Sequence, residues 1–577
     1  MLNTVFSSIF TTMGTDLFLG SFCLVMLAAL VLAGAMCFSL AACGNGASTT
    51  TDTAGTITTV SSQTSSQDDL FTDRDYDASY ETAVTITLSG GTTVASGDGV
   101  AVEGTVVTIT QAGTYLLTGE LTDGQVVVDV GESEKVQLVL SDAAVASSTS
   151  AALYVKSADK VFLTLAAGTK NALSTTGSFV QRDDNQVDGA VFSKCTLTIN
   201  GSGSLTVDCA QGHGIVSKDT LKVTGGQLTV HAASSALTGK DGIHSENTDD
   251  SEKGFLYILD GTFSITAGSD GMDASQNVTV KGGIITLAVG DDGIHADGEL
   301  TIVNGSVTVT ESYEGLEGQT VNIQGGTVSV TASDDGINAA DGSTAAMGPG
   351  AAGSSCAIHI SGGEVRVDAS GDGLDSNGDL TVTGGTVYVS GACNGGDSVL
   401  DYDGTATISG GVVVAAGCSG MAQNFGAAST QGSILYTFSQ TMAGGTEVTL
   451  TDSSGTVLAA FAPEKEYQCV VIGAPSITAG SSYTVSAGEE SGTVTMESLI
   501  YGGGNMGGGM GGRGGPSGGS VRRTAAIKSG RAETRSQKRT HKRQHCRIKR
   551  RRKSSSRHRE KITAPAAASD GRKREAV

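Results

Sequence analysis

Six short segments of this chain carry side chains suited to binding a metal ion or a polar ligand, and all follow one formula. Each has an acid, a glycine, an apolar residue and then a histidine, an acid or an amide. The segments are Asp241 to His244, Asp270 to Asp273, Asp292 to His295, Glu314 to Glu317, Asp335 to Asn338 and Asp372 to Asp375. From 271 to 336 the glycines advance by 22, 22 and 21 residues, which indicates a repeated structural unit.

Stacking of such units would turn the acids into a ladder. Equivalent residues of adjacent β-coils are about 4.8 Å apart, so like charges repel unless a cation neutralises them. Calcium accepts several carboxylate oxygens in a flexible arrangement, whereas His244 and His295 lack a third soft ligand for zinc. If each glycine bends the chain, the acids face outward. The predicted calcium ligands are Asp241, Asp270, Asp273, Asp291, Asp292, Asp297, Glu314, Glu317, Asp334, Asp335, Asp372 and Asp375.

Calcium on such a stripe would suit an anionic partner. A bound ion with open coordination positions can bridge to the carboxylates of an extended uronic-acid polysaccharide. Tyr313 could stack on a sugar ring, and His244 and His295 are the other predicted sugar contacts. A simpler interpretation, in which an Asp only caps backbone N–H groups of its own turn, suits any single segment but not six segments in register.

The stretches between the segments identify the repeated unit. They are rich in Val, Thr and Ile around a Gly-Gly or Asn-Gly turn, as in LTVTGGTVYVSG. Leucine-rich repeats have a similar length, but they need recurring Leu and a helical segment that this sequence lacks. The 83 Gly and 5 Pro suit short strands joined by tight turns. The sequence therefore predicts an all-β parallel β-helix with a cap at each end.

The two ends of the chain differ from this body. An apolar run over residues 17–42 ends in Leu-Ala-Ala-Cys43, which resembles a bacterial lipobox and predicts export with a lipid anchor on Cys43. The predicted divisions are 1–43 signal peptide, 44–75 flexible linker, 76–188 N-terminal β cap and first coils, 189–430 regular coils, 431–500 C-terminal β cap, and 501–577 Gly-rich then basic tail.

The net charge of −23 combines an acidic body with a basic tail. Residues 522–577 hold 21 Lys or Arg against 4 Asp or Glu. The tail has no aromatic residue to stack on a base, so no nucleic-acid partner is predicted. A disordered tail and a reading-frame error both remain open as explanations, and a monomer is expected.

Several stretches resemble the bacterial family of carbohydrate-binding domain-containing proteins. They are AGTYLLTGELTDGQVVVD, VQLVLSDAAV, KVFLTLAAGTKNAL and the repeated DGI corners, within about Val84 to Tyr483. The resemblance implies a right-handed parallel β-helix similar to pectate lyases, exported and often lipid-anchored. It also implies calcium bound by the acidic corner residues and binding of polygalacturonate, without established lyase activity.

Two other functions compete with carbohydrate binding. A calcium-dependent pectate lyase needs a positioned Lys or Arg as base, and Lys240 beside Asp241 is the best candidate. Alternatively, calcium could only stiffen the coils of a structural adhesin without sugar affinity. The same acids serve all three functions.

Overall fold

The computed structural model describes residues 70–81, 83–233, 240–341, 355–394 and 396–503. Its N-terminal part consists of one short helical turn and ten strands. Strands β1, β5, β7 and β9 pair in parallel, so the coiling begins at β1. The elements are α1 (Asp73–Tyr76), β1 (Val84–Ser89), β2 (Val94–Ala95), β3 (Val100–Glu103), β4 (Val106–Ile109), β5 (Gly113–Leu121), β6 (Gln125–Asp129), β7 (Lys135–Ser147), β8 (Leu153–Ser157), β9 (Lys160–Leu165) and β10 (Lys170–Thr175).

The regular coils follow, and their strands pair in parallel with the equivalent strands of the next coil. They are β11 (Gly189–Ser193), β12 (Thr196–Gly201), β13 (Ser204–Cys209), β14 (His213–Ser217), β15 (Leu221–Val223), β16 (Gln227–His231), β17 (Ile243–Ser245), β18 (Leu256–Ile258), β19 (Thr262–Ala267), β20 (Met272–Ala274), β21 (Val278–Val280), β22 (Ile284–Val289), β23 (Ile294–Ile302), β24 (Ser306–Glu311), β25 (Leu316–Ile323), β26 (Thr327–Ala332), β27 (Ile337–Ala339), β28 (Ala357–Ile360), β29 (Glu364–Ala369), β30 (Leu374–Ser376), β31 (Asp379–Ser390), β32 (Leu400–Tyr402) and β33 (Ala406–Gly417).

Three sheet faces run along the solenoid because each coil contributes one strand, or one half of a long strand, to each face. The first face contains β14, β17, β20 and the start of β23. The second contains β15, β18, β21 and the end of β23, and the third contains β16, β19, β22 and β24. The predicted parallel β-helix is therefore confirmed.

The core is a set of apolar ladders inside the three faces. In β17 and β20 of the first face the first and third residues are buried and the middle one is partly exposed, as the period of two in a strand predicts. Ile243, Met272, Ile294 and Leu316 occupy equivalent first positions and are all fully buried. This alternation and the parallel register hold the middle residues of successive strands in one column on the other side of each strand from the core.

A small β cap closes the C-terminal end. Strand β37 pairs antiparallel with β33 and β34, while β35, β36, β38 and β39 form a separate antiparallel sheet. The cap covers the edge that the last coil would otherwise expose. Its strands are β34 (Gly432–Met442), β35 (Val448–Asp452), β36 (Val457–Phe461), β37 (Tyr467–Ala474), β38 (Ser482–Ala487), β39 (Glu490–Thr495) and β40 (Ile500–Tyr501).

Residues 70–75 are anchored to the solenoid, so the prediction that they belong to a flexible linker is wrong. Asp75 is fully buried and accepts hydrogen bonds from Lys160 Nζ and Thr198 Oγ1, each at 2.5 Å. Phe71 is 5 % exposed and lies 6.3 Å from the ring of Tyr257. One buried carboxylate and one aromatic side chain thus attach this segment to the second face.

Three predictions lie outside the described residues. They are the lipobox at Cys43, the linker before residue 70, and the Gly-rich and basic tail from residue 504 onward. Among the residues that are described, no helix has the length and apolar character needed to cross a membrane.

Candidate cation-binding stripe

Two columns of polar side chains run along the corner where each coil enters its first face, and we call them together the acidic stripe. The strand column contains the middle residues of the first-face strands, paired in register: His244, Asp273, His295, Glu317, Asn338, Asp375 and Asp401. In the corner column, the glycine after each member donates its N–H to the carbonyl of the next member: His213, Asp241, Asp270, Asp292, Glu314, Asp335 and Asp372.

The corner acids from Asp241 to Asp335 are buried and Asp372 is partly buried, so the prediction that they face outward is wrong. Asp241, Asp270 and Asp292 are 4 %, 5 % and 1 % exposed. The backbone N–H of Asp270 donates to Asp241 Oδ1 at 3.2 Å, and that of Asp292 donates to Asp270 Oδ1 at 3.0 Å. The Asp241 and Asp270 carboxylates therefore each cap a backbone group of the neighbouring coil, and only part of their oxygen capacity remains for a cation.

The corners leave no room for a side chain at the glycine position. A Cβ on Gly315 would stand 2.1 Å from Val330 Cγ1 and 2.3 Å from the carbonyl oxygen of Gly336. A Cβ on Gly293 would stand 2.4 Å from the carbonyl oxygen of Gly315. The glycine brings successive coils close enough for the acids to meet.

The two predicted sugar-binding histidines contact one carboxylate between them. His244 Nδ1 lies 2.8 Å from Asp273 Oδ2, and His295 Nδ1 lies 2.6 Å from Asp273 Oδ1. Both histidine side chains are only 13 % exposed. Burial opposes protonation of His244, but Asp241, Asp273 and Glu246 raise its pKa well above the ordinary value. These rings belong to the stripe and present little surface to a sugar.

Oxygen ligands cluster in the middle of the stripe. One ligand atom from each of Asp270, Asp291 and Asp292 lies within 4.8 Å of the others. The same holds for Glu314, Asp334 and Asp335. Two further groups include His295. One consists of His295, Asp270 and Asp273, and the other of His295, Asp292 and Glu317.

Carboxylates repel one another strongly near the C-terminal end of the stripe. Burial and the negative charges of Asp335 and Asp375 raise the pKa of Asp372 to about 9. Asn338 is 3 % exposed and donates from Nδ2 to Glu314 Oε2 at 2.6 Å. Its buried Oδ1 has no hydrogen-bond partner. A buried amide oxygen without a donor, among crowded carboxylates, fits a cation better than a network of protein hydrogen bonds.

Two predicted residues lie at the margin of the stripe. Tyr313 lies between Asp291 and Asp334 of the neighbouring coils. Its N–H donates to the carbonyl of Asp291, and its carbonyl accepts the N–H of Asp334. Burial and a hydrogen bond to Asp334 raise the pKa of its hydroxyl, so its polar tip is already engaged. Asp297 is exposed on β23, where the pairing with β25 shifts register.

Sequence reasoning missed His213 as a ligand candidate. His213, Gly214 and Ile215 match the register of Asp241, Gly242 and Ile243, with histidine in place of the acid. The recurring Gly-Ile pair was the available signal. Asn338 was recognised as part of the formula but not as a ligand, because burial of its oxygen depends on the neighbouring coils.

A lysine and a further acid border the first corner. Lys240 Nζ lies 3.2 Å from Asp188 Oδ2 and 2.9 Å from His213 Nε2. Burial opposes ionisation of Asp188, but the hydrogen bond from His213 and the nearby lysines hold its pKa well below the ordinary value. The predicted base candidate therefore lies at the N-terminal end of the stripe.

A family model and a relative with the same description match this chain, and one solved structure is also similar. The family model described as carbohydrate-binding domain-containing protein matches residues 103–348 and 287–454. A carbohydrate-binding domain-containing protein of Acetivibrio thermocellus is 34 % identical over 201 residues, which cover 32 % of this chain and 70 % of the relative. The structure of a polysaccharide lyase-like protein from C. thermocellum, a gadolinium derivative, matches with a TM-score of 0.32 and 25 % identity, covering 57 % of this chain and 99 % of that one.

Proposed function

Because this chain belongs to the family of carbohydrate-binding domain-containing proteins, we propose that it binds an acidic polysaccharide of the polygalacturonate type through calcium ions on the acidic stripe. The observation that supports calcium most directly is the partnerless Oδ1 of Asn338 inside a cluster of carboxylates.

The donor set favours calcium among the common cations. The groups around Asp270, Asp291 and Asp292 and around Glu314, Asp334 and Asp335 offer only oxygen ligands. Calcium accepts six to eight oxygens with variable geometry, whereas magnesium demands a near-ideal octahedron and keeps its waters. The corner carboxylates already accept backbone N–H groups, so waters and a ligand from outside would complete the coordination.

An extended polymer suits the shape of the stripe. Successive coils repeat at about 4.8 Å, so ions held on different coils would form a row. Each ion could accept a carboxylate of a uronic-acid chain and thereby neutralise charge on both sides. The depth of the corner acids means that only the outer coordination positions of such ions are open to the polymer.

The same proposal places the protein at the cell surface. The lipobox ending at Cys43 predicts lipidation and export, and the acidic body gives no reason to expect nucleic acid as a partner. A lipid-anchored monomer with its solenoid outside the cell would meet polysaccharides directly.

Calorimetric titration of the protein with polygalacturonate oligomers, with calcium and then with chelator, tests the proposal. Binding should vanish in chelator, and Asp335→Asn should weaken both calcium and sugar binding. Asp208→Asn is the matched control, because Asp208 is exposed on the third face. Sugar binding that survives chelation would contradict calcium bridging. Calcium-dependent stability without sugar binding would instead support the structural adhesin.

A calcium-dependent lyase is the second candidate, with Lys240 as its predicted base. Proton abstraction next to a uronate carboxylate needs a base beside the cation. Lys240 lies beside His213 and Asp188 at the first corner of the stripe. Appearance of unsaturated product from polygalacturonate, lost in Lys240→Ala, would establish this activity; intact oligomers after long incubation would exclude it.

A further inference from the structure

The N-terminal end of the acidic stripe differs in chemistry from its middle. Here the first corner brings together His213, Asp241 and His244, with one ligand atom of each within 4.8 Å of the others. Asp241 Oδ2 lies 3.0 Å from His213 Nδ1 and 3.1 Å from His244 Nδ1. All three side chains are at most 13 % exposed.

From these contacts we infer that His213, Asp241 and His244 form a zinc site, separate from the oxygen-only clusters. Two imidazoles and a carboxylate are typical ligands of zinc, and calcium does not favour nitrogen ligands. With bonds of about 2.0–2.1 Å, two ligands of a tetrahedral zinc lie about 3.3 Å apart, close to the distances from Asp241 Oδ2. The site goes beyond the proposed function and does not depend on sugar binding.

The far nitrogen of His244 faces a carboxylate, as expected of a metal-bound imidazole. His244 Nε2 lies 3.4 Å from Glu246 Oε2, whereas His213 Nε2 lies 2.9 Å from Lys240 Nζ and 3.5 Å from Asp188 Oδ2. Glu246 holds the ring proton of His244 on Nε2 and leaves its Nδ1 lone pair for the metal. A lysine pairs with each outer carboxylate in turn: Lys240 with Asp188 and Lys218 with Glu246.

The contacts at His244 Nδ1 are unsatisfactory without a cation, whereas His213 Nδ1 already accepts a backbone N–H. The N–H of Asp241 donates to His213 Nδ1 at 3.1 Å, so that nitrogen presents a lone pair beside the Asp241 carboxylate. His244 Nδ1 is buried between two carboxylate oxygens but makes no hydrogen bond of acceptable geometry. Zinc would take both lone pairs at the cost of one backbone hydrogen bond. Asp273 Oδ2, 2.8 Å from His244 Nδ1, is placed to serve as a fourth ligand.

The test is a zinc titration of the full chain by calorimetry in saturating calcium. One zinc ion should bind the body, and His213→Ala or His244→Ala should weaken it at least tenfold. Glu246→Gln should weaken it about 10–100-fold, as for other outer-shell carboxylates. The control His359→Ala, at an exposed residue of β28, and Asp335→Asn in the calcium cluster should leave zinc affinity unchanged.

Three residues of the tail, His541, His545 and Cys546, offer a competing zinc site. The variant His541→Ala/His545→Ala should retain the body's zinc, and loss of zinc there would overturn the inference. Unchanged affinity in both His213→Ala and His244→Ala would also overturn it. Zinc-edge X-ray absorption of the wild-type protein in calcium needs no variant and should show imidazole nitrogen with carboxylate oxygen. An oxygen-only shell would contradict the site.

Discussion

Replacement of Asp75 by Asn should destabilise the protein through the charge that anchors the N-terminal segment. Asp75 is fully buried and accepts from Lys160 Nζ at 2.5 Å. The side chain of Lys160 is 11 % exposed, so Asp75→Asn leaves an ammonium group without its buried partner. Removing one partner of a buried pair costs about 3–5 kcal/mol. We expect about 3 kcal/mol less free energy of unfolding at pH 7.

The pH dependence provides a second measure of the same interaction. Burial opposes ionisation of Asp75, but hydrogen bonds from Lys160, Thr198 and Thr72 lower its pKa from 3.8 to about 2. At about 1.4 kcal/mol per pKa unit this shift contributes about 2–3 kcal/mol. Because the folded pKa is depressed, the contribution is complete above pH 4 and is lost as pH falls through 2. The difference in free energy of unfolding between wild type and Asp75→Asn should therefore become smaller as the pH falls over that range.

Urea unfolding followed by circular dichroism, in chelator throughout, measures both effects. Asp73→Asn is the matched control, since Asp73 lies exposed on the same helical turn. That variant should unfold within about 0.5 kcal/mol of wild type. A gap for Asp75→Asn below about 0.5 kcal/mol at pH 7, or one that is equal at pH 2 and pH 7, would refute the account of this anchor.

Two further predictions concern packing and thiol reactivity. Gly315→Ala should lower the free energy of unfolding by about 1–3 kcal/mol, because the added Cβ would meet Val330 and the next coil. Gly91→Ala is the control and should be tolerated, because a Cβ added there has no non-neighbouring atom within 4 Å. Equal urea midpoints for the two variants would contradict the spatial role of the corner glycine. Burial raises the pKa of Cys195 and Cys209 to about 11. Iodoacetamide at pH 8 should therefore label these thiols far more slowly in folded than in unfolded protein. Equal rates of labelling, measured by peptide mass spectrometry, would show that the thiols are not protected.

The repeat formula determined much of the fold before any coordinates. Glycine spacing near 22 residues and alternating Val, Thr and Ile predict stacked β-coils, and the in-register pairing of His244, Asp273 and His295 follows from that period. These features are local and repeated, so one coil predicts the next. The ends were harder to predict, because burial of Asp75 depends on Lys160 and Thr198, which are distant in sequence.

The tertiary structure alone decided how the stripe is arranged. The sequence supplied the acids, but only the approach of successive coils, allowed by the corner glycines, buries Asp241 and Asp270 and turns their carboxylates to neighbouring N–H groups. Likewise, His213 becomes a candidate ligand only because its coil lies directly beside that of Asp241. Periodicity fixes which residues are equivalent, whereas the depth of a side chain and its partners depend on contacts between coils.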